Sequence, residues 1–103
     1  METEYQVVIS SRAAQMLVSH AAFLARVSAA AAEQLTQAFA RAANSLATMP
    51  LRCPLLAQPY LPRNKYRYLL FAKRYMLVFQ VAGSTVYVDY VLDCRQDYEW
   101  LLD

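Results

Sequence analysis

Six cations and no carboxylate fall between residues 51 and 75: Arg52, Arg63, Lys65, Arg67, Lys73 and Arg74. The flanks differ. Residues 1–50 balance three basic against three acidic side chains, and residues 76–103 set Arg95 against Asp89, Asp93, Asp97, Glu99 and Asp103. A cationic block of this kind makes a local positive field that attracts phosphates or an acidic partner. Tyrosines interleave it at Tyr66, Tyr68 and Tyr75. Guanidinium forks among aromatic rings suit RNA phosphates and stacked bases. The same residues also suit a solvated sheet face carrying weak surface ion pairs, such as Arg95 with Asp93. His20 is the sole histidine, so a zinc site is not expected, and its spacing with Met16, Phe23 and Val27 suits packing. Cys53 and Cys94 lie far apart in sequence and form no C-x-x-C pair, so both are expected to be free, inert thiols.

The elements that must carry these residues follow from periodicity. Residues 4–10 alternate, with Tyr5, Val7 and Ile9 on one face, and predict a short strand. Ser10 or Ser11 then caps a helix in which Ala14, Leu17, Ala21 and Leu24 form an apolar stripe. Ser28 caps a second helix with Ala32, Leu35, Phe39, Ala42 and Leu46 at spacings of three and four. Almost nothing joins the two, so an antiparallel helical hairpin is expected. Pro50 ends it, and Pro50, Pro54, Pro59 and Pro62 mark an extended crossing segment. Three strands follow: Lys65 to Phe71, Tyr75 to Ala82 and Thr85 to Leu92, with Ala72-Lys73-Arg74 and Gly83-Ser84 as the reversals. The order β-α-α-β-β-β predicts an α+β domain over residues 1–103, a mostly antiparallel sheet with the helical hairpin on one face.

Parity then assigns faces. With Tyr66, Tyr68 and Leu70 against the helices, Lys65, Arg67 and Leu69 face away. Arg74, Met76, Val78 and Gln80 join them on the next strand, and Tyr87, Asp89, Val91 and Asp93 on the last, followed by Arg95. Arg67 and Arg95 are thus expected to converge on one uncovered surface.

At 103 residues and 58% apolar, the chain is about one domain with material for a real core. One glycine and 17% charged residues exclude disorder and collagen. No window holds about 18 apolar residues free of charges and turns, so no membrane span is expected. The acidic start Met1-Glu2-Thr3-Glu4 is unlike a signal peptide, and a cytoplasmic location is expected. Trp100, Leu101 and Leu102 are expected to dock the tail on the core.

The chain resembles the RelE/ParE superfamily of toxins from type II toxin–antitoxin systems. The likeness is carried by the opening strand Tyr5 to Ser10, the alanine-rich hairpin ending in Met49-Pro50, and three later stretches: Lys65 to Phe71, Arg74 to Val81 and Val91 to Tyr98. It implies the fold order above, a cognate antitoxin as partner in a hetero-oligomer, and one of two activities. RelE-like members cleave mRNA on the ribosome without a metal or cofactor; ParE-like members poison DNA gyrase. The nuclease chemistry needs a proton acceptor, cations for a pentavalent phosphorane and a proton donor. On this resemblance Arg67, Arg95 and Tyr98 would be catalytic, and Lys65, Lys73, Arg74 and Gln80 would hold nucleic acid. Two positions depart from the nuclease pattern: Met76 stands where many members have arginine, and Leu69 where a second lysine is common. A non-toxic interaction module of the same fold is the alternative.

Overall fold

A computed structural model describes residues 4–57, 62 and 64–95. Its elements are β1 (Gln6–Ile9), α1 (Ser11–Ala25), α2 (Ala29–Ser45), a 3-10 turn (Pro50–Arg52), β2 (Tyr66–Phe71), β3 (Tyr75–Ala82) and β4 (Thr85–Asp93). The expected order β-α-α-β-β-β is present. The strands lie in the order β1-β4-β3-β2, with β1 parallel to β4 and the other pairs antiparallel.

Both helices start on the serines that the sequence nominates. The Ser10 hydroxyl accepts from the Ala13 N–H at 3.0 Å, and the Ser28 hydroxyl accepts from Ala31 at 3.1 Å. Each satisfies a donor that the first helical turn leaves unpaired. α2 ends differently. Arg52 folds back over its C-terminus, donating from Nη1 to the carbonyls of Ser45, Thr48 and Met49, and from Nη2 to the Ser45 hydroxyl. A guanidinium there meets orphan carbonyls and the negative end of the helix dipole.

The main core lies between the helices and one sheet face. Ala13, Leu35, Phe39, Ala43 and Leu46 meet Phe71, Tyr75, Leu77, Phe79, Val86, Val88 and Val91. The apolar stripes face the core as the sequence reading has them, with Leu17, Ala21 and Leu24 on α1 and Leu35, Phe39, Ala42 and Leu46 on α2; only Ala14 differs, being exposed where Ala13 is buried, and Ala43 joins the core beside Ala42. Alanine cannot signal its own face as clearly as leucine, because either side of a helix tolerates it.

The second sheet face buries Tyr66, Met76, Val78 and Leu92 in a smaller cluster, with Leu56, Tyr68 and Tyr90 packed against it. Two edges are covered. Residues 54–56 lie along β2, with Leu56 N–H donating to the Tyr66 carbonyl and Tyr68 N–H to that of Pro54. β1 stops opposite Val88, so the rest of β4 loses its neighbour strand. There α1 takes over: Ser10 donates to the Asp89 carbonyl at 3.4 Å, and His20 Nε2–H to the Val91 carbonyl at 3.0 Å. His20 also meets the Tyr75 ring edge-on, so it has the packing role expected of it. Cys53 and Cys94 are free thiols, and burial pushes the Cys53 thiol pKa up. No described helix is long and apolar enough to cross a membrane.

Candidate functional site: a cationic cleft and the open sheet face

The expected convergence of arginines does not form. Arg67 pairs with Phe79 across β2 and β3, and Leu69 with Leu77, so both stand on the helix side of the sheet. Tyr66, Tyr68 and Leu70 occupy the other face. The reversal decides this. Phe71 pairs with Tyr75 across a three-residue loop, Ala72-Lys73-Arg74. Residues paired directly across a hairpin share a face, and Tyr75 faces the helices, so Phe71, Leu69 and Arg67 do too. The half-buried Arg67 then donates from Nη1 to the carbonyls of Cys53 at 2.6 Å and Leu51 at 3.4 Å. It clamps the 3-10 turn onto the sheet.

A bulge corrects β4 as well. Phe79 pairs with Val88 and Val78 with Tyr90, which leaves Asp89 as the extra residue. Parity inverts beyond it. Val91 enters the main core and Asp93 pairs with Tyr75, so both leave the face that alternation assigned them. Buried Asp93 accepts from the Arg95 N–H at 2.8 Å. Arg95 itself is exposed, beyond the Tyr75 end of the sheet. Phe79 and Tyr75 are four positions apart, roughly 13 Å of strand, so Arg67 and Arg95 belong to opposite ends. Tyr98, like Arg63 and Trp100, lies outside the described residues.

Gln80 does lie on the open face. Its Nε2–H donates to Asp89 Oδ2 at 2.8 Å, and the Tyr66 phenol also hydrogen-bonds that carboxylate. Burial first, then the Asp89 charge, raises the Tyr66 pKa, so the phenol stays protonated as a donor. The Tyr66 and Tyr90 rings meet edge-to-face, with Lys65 Nζ 5.5 Å from the first ring centroid and Arg12 Cζ 4.3 Å from the second. Lys65, Tyr66, Tyr90 and Arg12 therefore form a short cation–aromatic row.

Lys73 and Arg74 go elsewhere. Arg74 was expected on the open face, but strand parity does not hold in a loop. Its guanidinium turns over the Tyr75 ring, 5.6 Å from the centroid, and a hydrogen bond to that tyrosine raises its already high pKa. Both side chains line a cleft of about 510 Å³ between the β2–β3 loop and the helices. Arg41 and Gln34 line its α2 side; Leu24, Leu35, Ala38 and Tyr75 make its apolar part. Among the described residues, no carboxylate lines it. Asp93, buried on β4, adds a favourable charge interaction to Arg74. Guanidinium and ammonium groups around an apolar floor can bind a carboxylate or phosphate attached to an apolar body.

The cationic block is thus divided by task. Arg52 and Arg67 hold backbone carbonyls, Lys65 lies on an aromatic ring, and Lys73 and Arg74 line the cleft. Arg41 and Arg12 were missed in sequence because each sits alone among alanines and polar residues of a helix, and only the fold brings them to a partner. Among the described residues, no group of three or more His, Cys, Asp or Glu could hold a metal ion.

No curated protein sequence matches the chain. A family model does, that of the ParE toxin of type II toxin-antitoxin system, parDE, over residues 7–98. That span runs from β1 through β4 and beyond, and includes both the open face and the cleft. The chain belongs to the ParE toxin family of type II toxin–antitoxin systems.

Proposed function

We propose that this toxin arrests growth by blocking DNA gyrase, not by cleaving mRNA, and that a cognate antitoxin neutralises it. The observation that carries the reading is the placement of Arg67, whose guanidinium is occupied by the Leu51 and Cys53 carbonyls on the helix side. Metal-free RNA cleavage needs a base, an acid and cations around one phosphate. Met76 and Val78 are buried and apolar in the middle of the open face, Leu69 is turned under the helices, and Arg67 and Arg95 lie at opposite ends of the sheet. Loss of a cation from a phosphoryl transition state typically costs several kcal/mol of barrier. A toxin that works by occupying gyrase needs no such assembly. Residues 1–103 act as one toxin domain in this reading, in the cytoplasm, with no cofactor.

Purified chain added to gyrase, ATP and relaxed plasmid should abolish supercoiling. Unaffected supercoiling, with transcripts cut on the ribosome during arrest, overturns the proposal. Co-expression with the product of an adjoining antitoxin-like reading frame should restore growth and yield a stable complex. Mutual indifference of the two chains counts against the toxin reading itself.

The cation–aromatic row on the open face favours the second reading. Lys65 and Arg12 flank Tyr66 and Tyr90 beside the Asp89 carboxylate, a surface suited to bases and phosphates. Ribosome-dependent cleavage that fails in a Lys65→Ala/Arg12→Ala double variant would establish it.

A further inference from the structure

The proposed gyrase block leaves one polar face of α1 without a role. Arg12, Met16 and His20 recur every four residues, with Gln15 and Ser19 beside them, so two helical turns present all five on one side. Together they line a pocket of about 290 Å³, separate from the cleft beside α2. Met16 is its apolar floor, packed on the open-face cluster of Tyr66, Met76, Val78 and Leu92. Both ends are held from the sheet. His20 Nε2–H donates to the Val91 carbonyl, and its ring meets Tyr75 edge-on. Arg12 lies over the Tyr90 ring, 4.3 Å from its centroid. A ring holds a guanidinium in place without neutralising it. The acid beside Tyr90, Asp89, bonds to Gln80 and Tyr66 instead. Among the described residues, no carboxylate lines the pocket, and none accepts a hydrogen bond from the side chains of Arg12, Gln15 or Ser19.

We propose that this pocket binds a phosphate monoester, with Arg12 forking onto two of its oxygens, Gln15 and Ser19 donating to the third, and His20 closing the far end. The number of donors selects the anion. A carboxylate has two oxygens, and the Arg12 fork alone would satisfy both. A monoester has three terminal oxygens and carries more charge, which matches a cation with two further donors. A phosphodiester inside a strand exposes only two oxygens, and its flanking sugars would have to enter the same small space. The Tyr90 ring beside Arg12 suits a nucleobase, so nucleoside monophosphates and the 5′-phosphorylated ends of strands share the required chemistry. The pocket lies on α1 alone, and the proposal stands whether or not gyrase is the target.

The test titrates the purified full chain with AMP and with adenosine by calorimetry. AMP should bind with a dissociation constant below about 1 mM, and adenosine should not bind. Arg12→Gln should weaken AMP binding about tenfold or more, and Ser19→Ala about threefold. Both side chains are exposed on α1, so both variants keep the core intact. Arg12→Lys keeps the charge and loses the fork, and should stay about threefold weaker than the native protein. Arg41→Gln, in the cleft beside α2, should change AMP binding less than about twofold. A short oligonucleotide with a 5′-phosphate and the same strand with a 5′-hydroxyl separate the sources. A phosphorylated strand that outbinds AMP assigns the pocket to strand ends, and AMP ahead of the strand assigns it to free nucleotides; both uphold the monoester. Equal binding of the two strands overturns it, since the surface then reads the phosphodiester backbone. Failure of AMP to bind, equal affinity for AMP and adenosine, or an Arg12→Gln protein that binds AMP as the native one does overturns it as well.

Discussion

Val78 and Phe79 are neighbours on β3, both fully buried, and they point to opposite faces of the sheet. Phe79 meets a layer of helices, where aliphatic and aromatic groups interlock, and among the described residues the buried polar groups on this side are the Tyr75 phenol, the Cys53 thiol and the Asp93 carboxylate. Val78 meets a thinner layer, in which Met76 and Leu92 lie beside tyrosines, and the Tyr66–Asp89–Gln80 hydrogen bonds rim the apolar centre. The first face holds the fold; the second holds polar groups in place at a surface. Equal burial therefore does not mean equal role.

The largest effect should come from the helix side. Phe79→Ala leaves a cavity between two rigid layers and should cost about 3–5 kcal/mol, a large part of a small domain's stability. Matched truncations sharpen the contrast. Val88→Ala on the helix side and Val78→Ala on the open side remove the same atoms, each about 2–3 kcal/mol. Val88→Ala should be the costlier, since flexible Met76 can relax into the space left by Val78. Urea midpoints that put Val78→Ala above Val88→Ala would break the distinction.

Arg67 gives the next effect. A guanidinium holding two carbonyls contributes structure: Arg67→Ala should cost about 1–3 kcal/mol, while Lys65→Ala should stay within about 0.5 kcal/mol. Below its lowered melting temperature, the Arg67→Ala protein should still inhibit supercoiling. An Arg67→Ala protein of unchanged stability would return this residue to the exposed site that alternation first gave it.

That first assignment shows what was legible. The element order, both serine caps, the Gly83-Ser84 turn and the faces of β3 all follow from local pattern. The face of β2 did not, because tyrosine and arginine are both amphipathic and Tyr66-Arg67-Tyr68-Leu69 offers no unambiguous apolar set. The signal was in the loop: three residues between Phe71 and Tyr75 force Arg67 under the helices. The β4 bulge at Asp89 had no comparable signal, since Val88-Asp89-Tyr90-Val91 suits either parity. The cleft was half legible. Lys73 and Arg74 stood out in the cationic block, but Arg41 joins them only through tertiary packing.

Alkali tests both faces at once. Burial raises the Cys53 thiol pKa from its ordinary 9.0 on the helix side, opposed by Arg52 and Arg67. Burial and Asp89 raise the Tyr66 phenol from 10.0 on the open side. In each case the unfolded chain ionises first, so stability is fully present below the ordinary pKa and falls as pH rises through the folded one. Urea midpoints should be flat from pH 7 to about 8.5, then decline. Cys53→Ala should remove the earlier part of the decline and Tyr66→Phe the later part. A decline that neither substitution alters would mean that neither face controls it.

The smallest effect separates the two hairpin loops. Gly83 opens the β3–β4 turn at φ 60°, with nothing within 4 Å of an added Cβ, so Gly83→Ala should cost about 1 kcal/mol through backbone strain alone. The β2–β3 loop has the converse arrangement. Ala72 occupies φ 50° with a side chain that makes the conformation unfavourable, so Ala72→Gly should stabilise by a few tenths to about 1 kcal/mol, with some gain lost to the greater freedom of the unfolded chain. Melting curves of Ala72→Gly and Gly83→Ala that shift in the same direction would show that the two loops are equally relaxed, and the strain would then say nothing about why lysine stands at the mouth of the cleft.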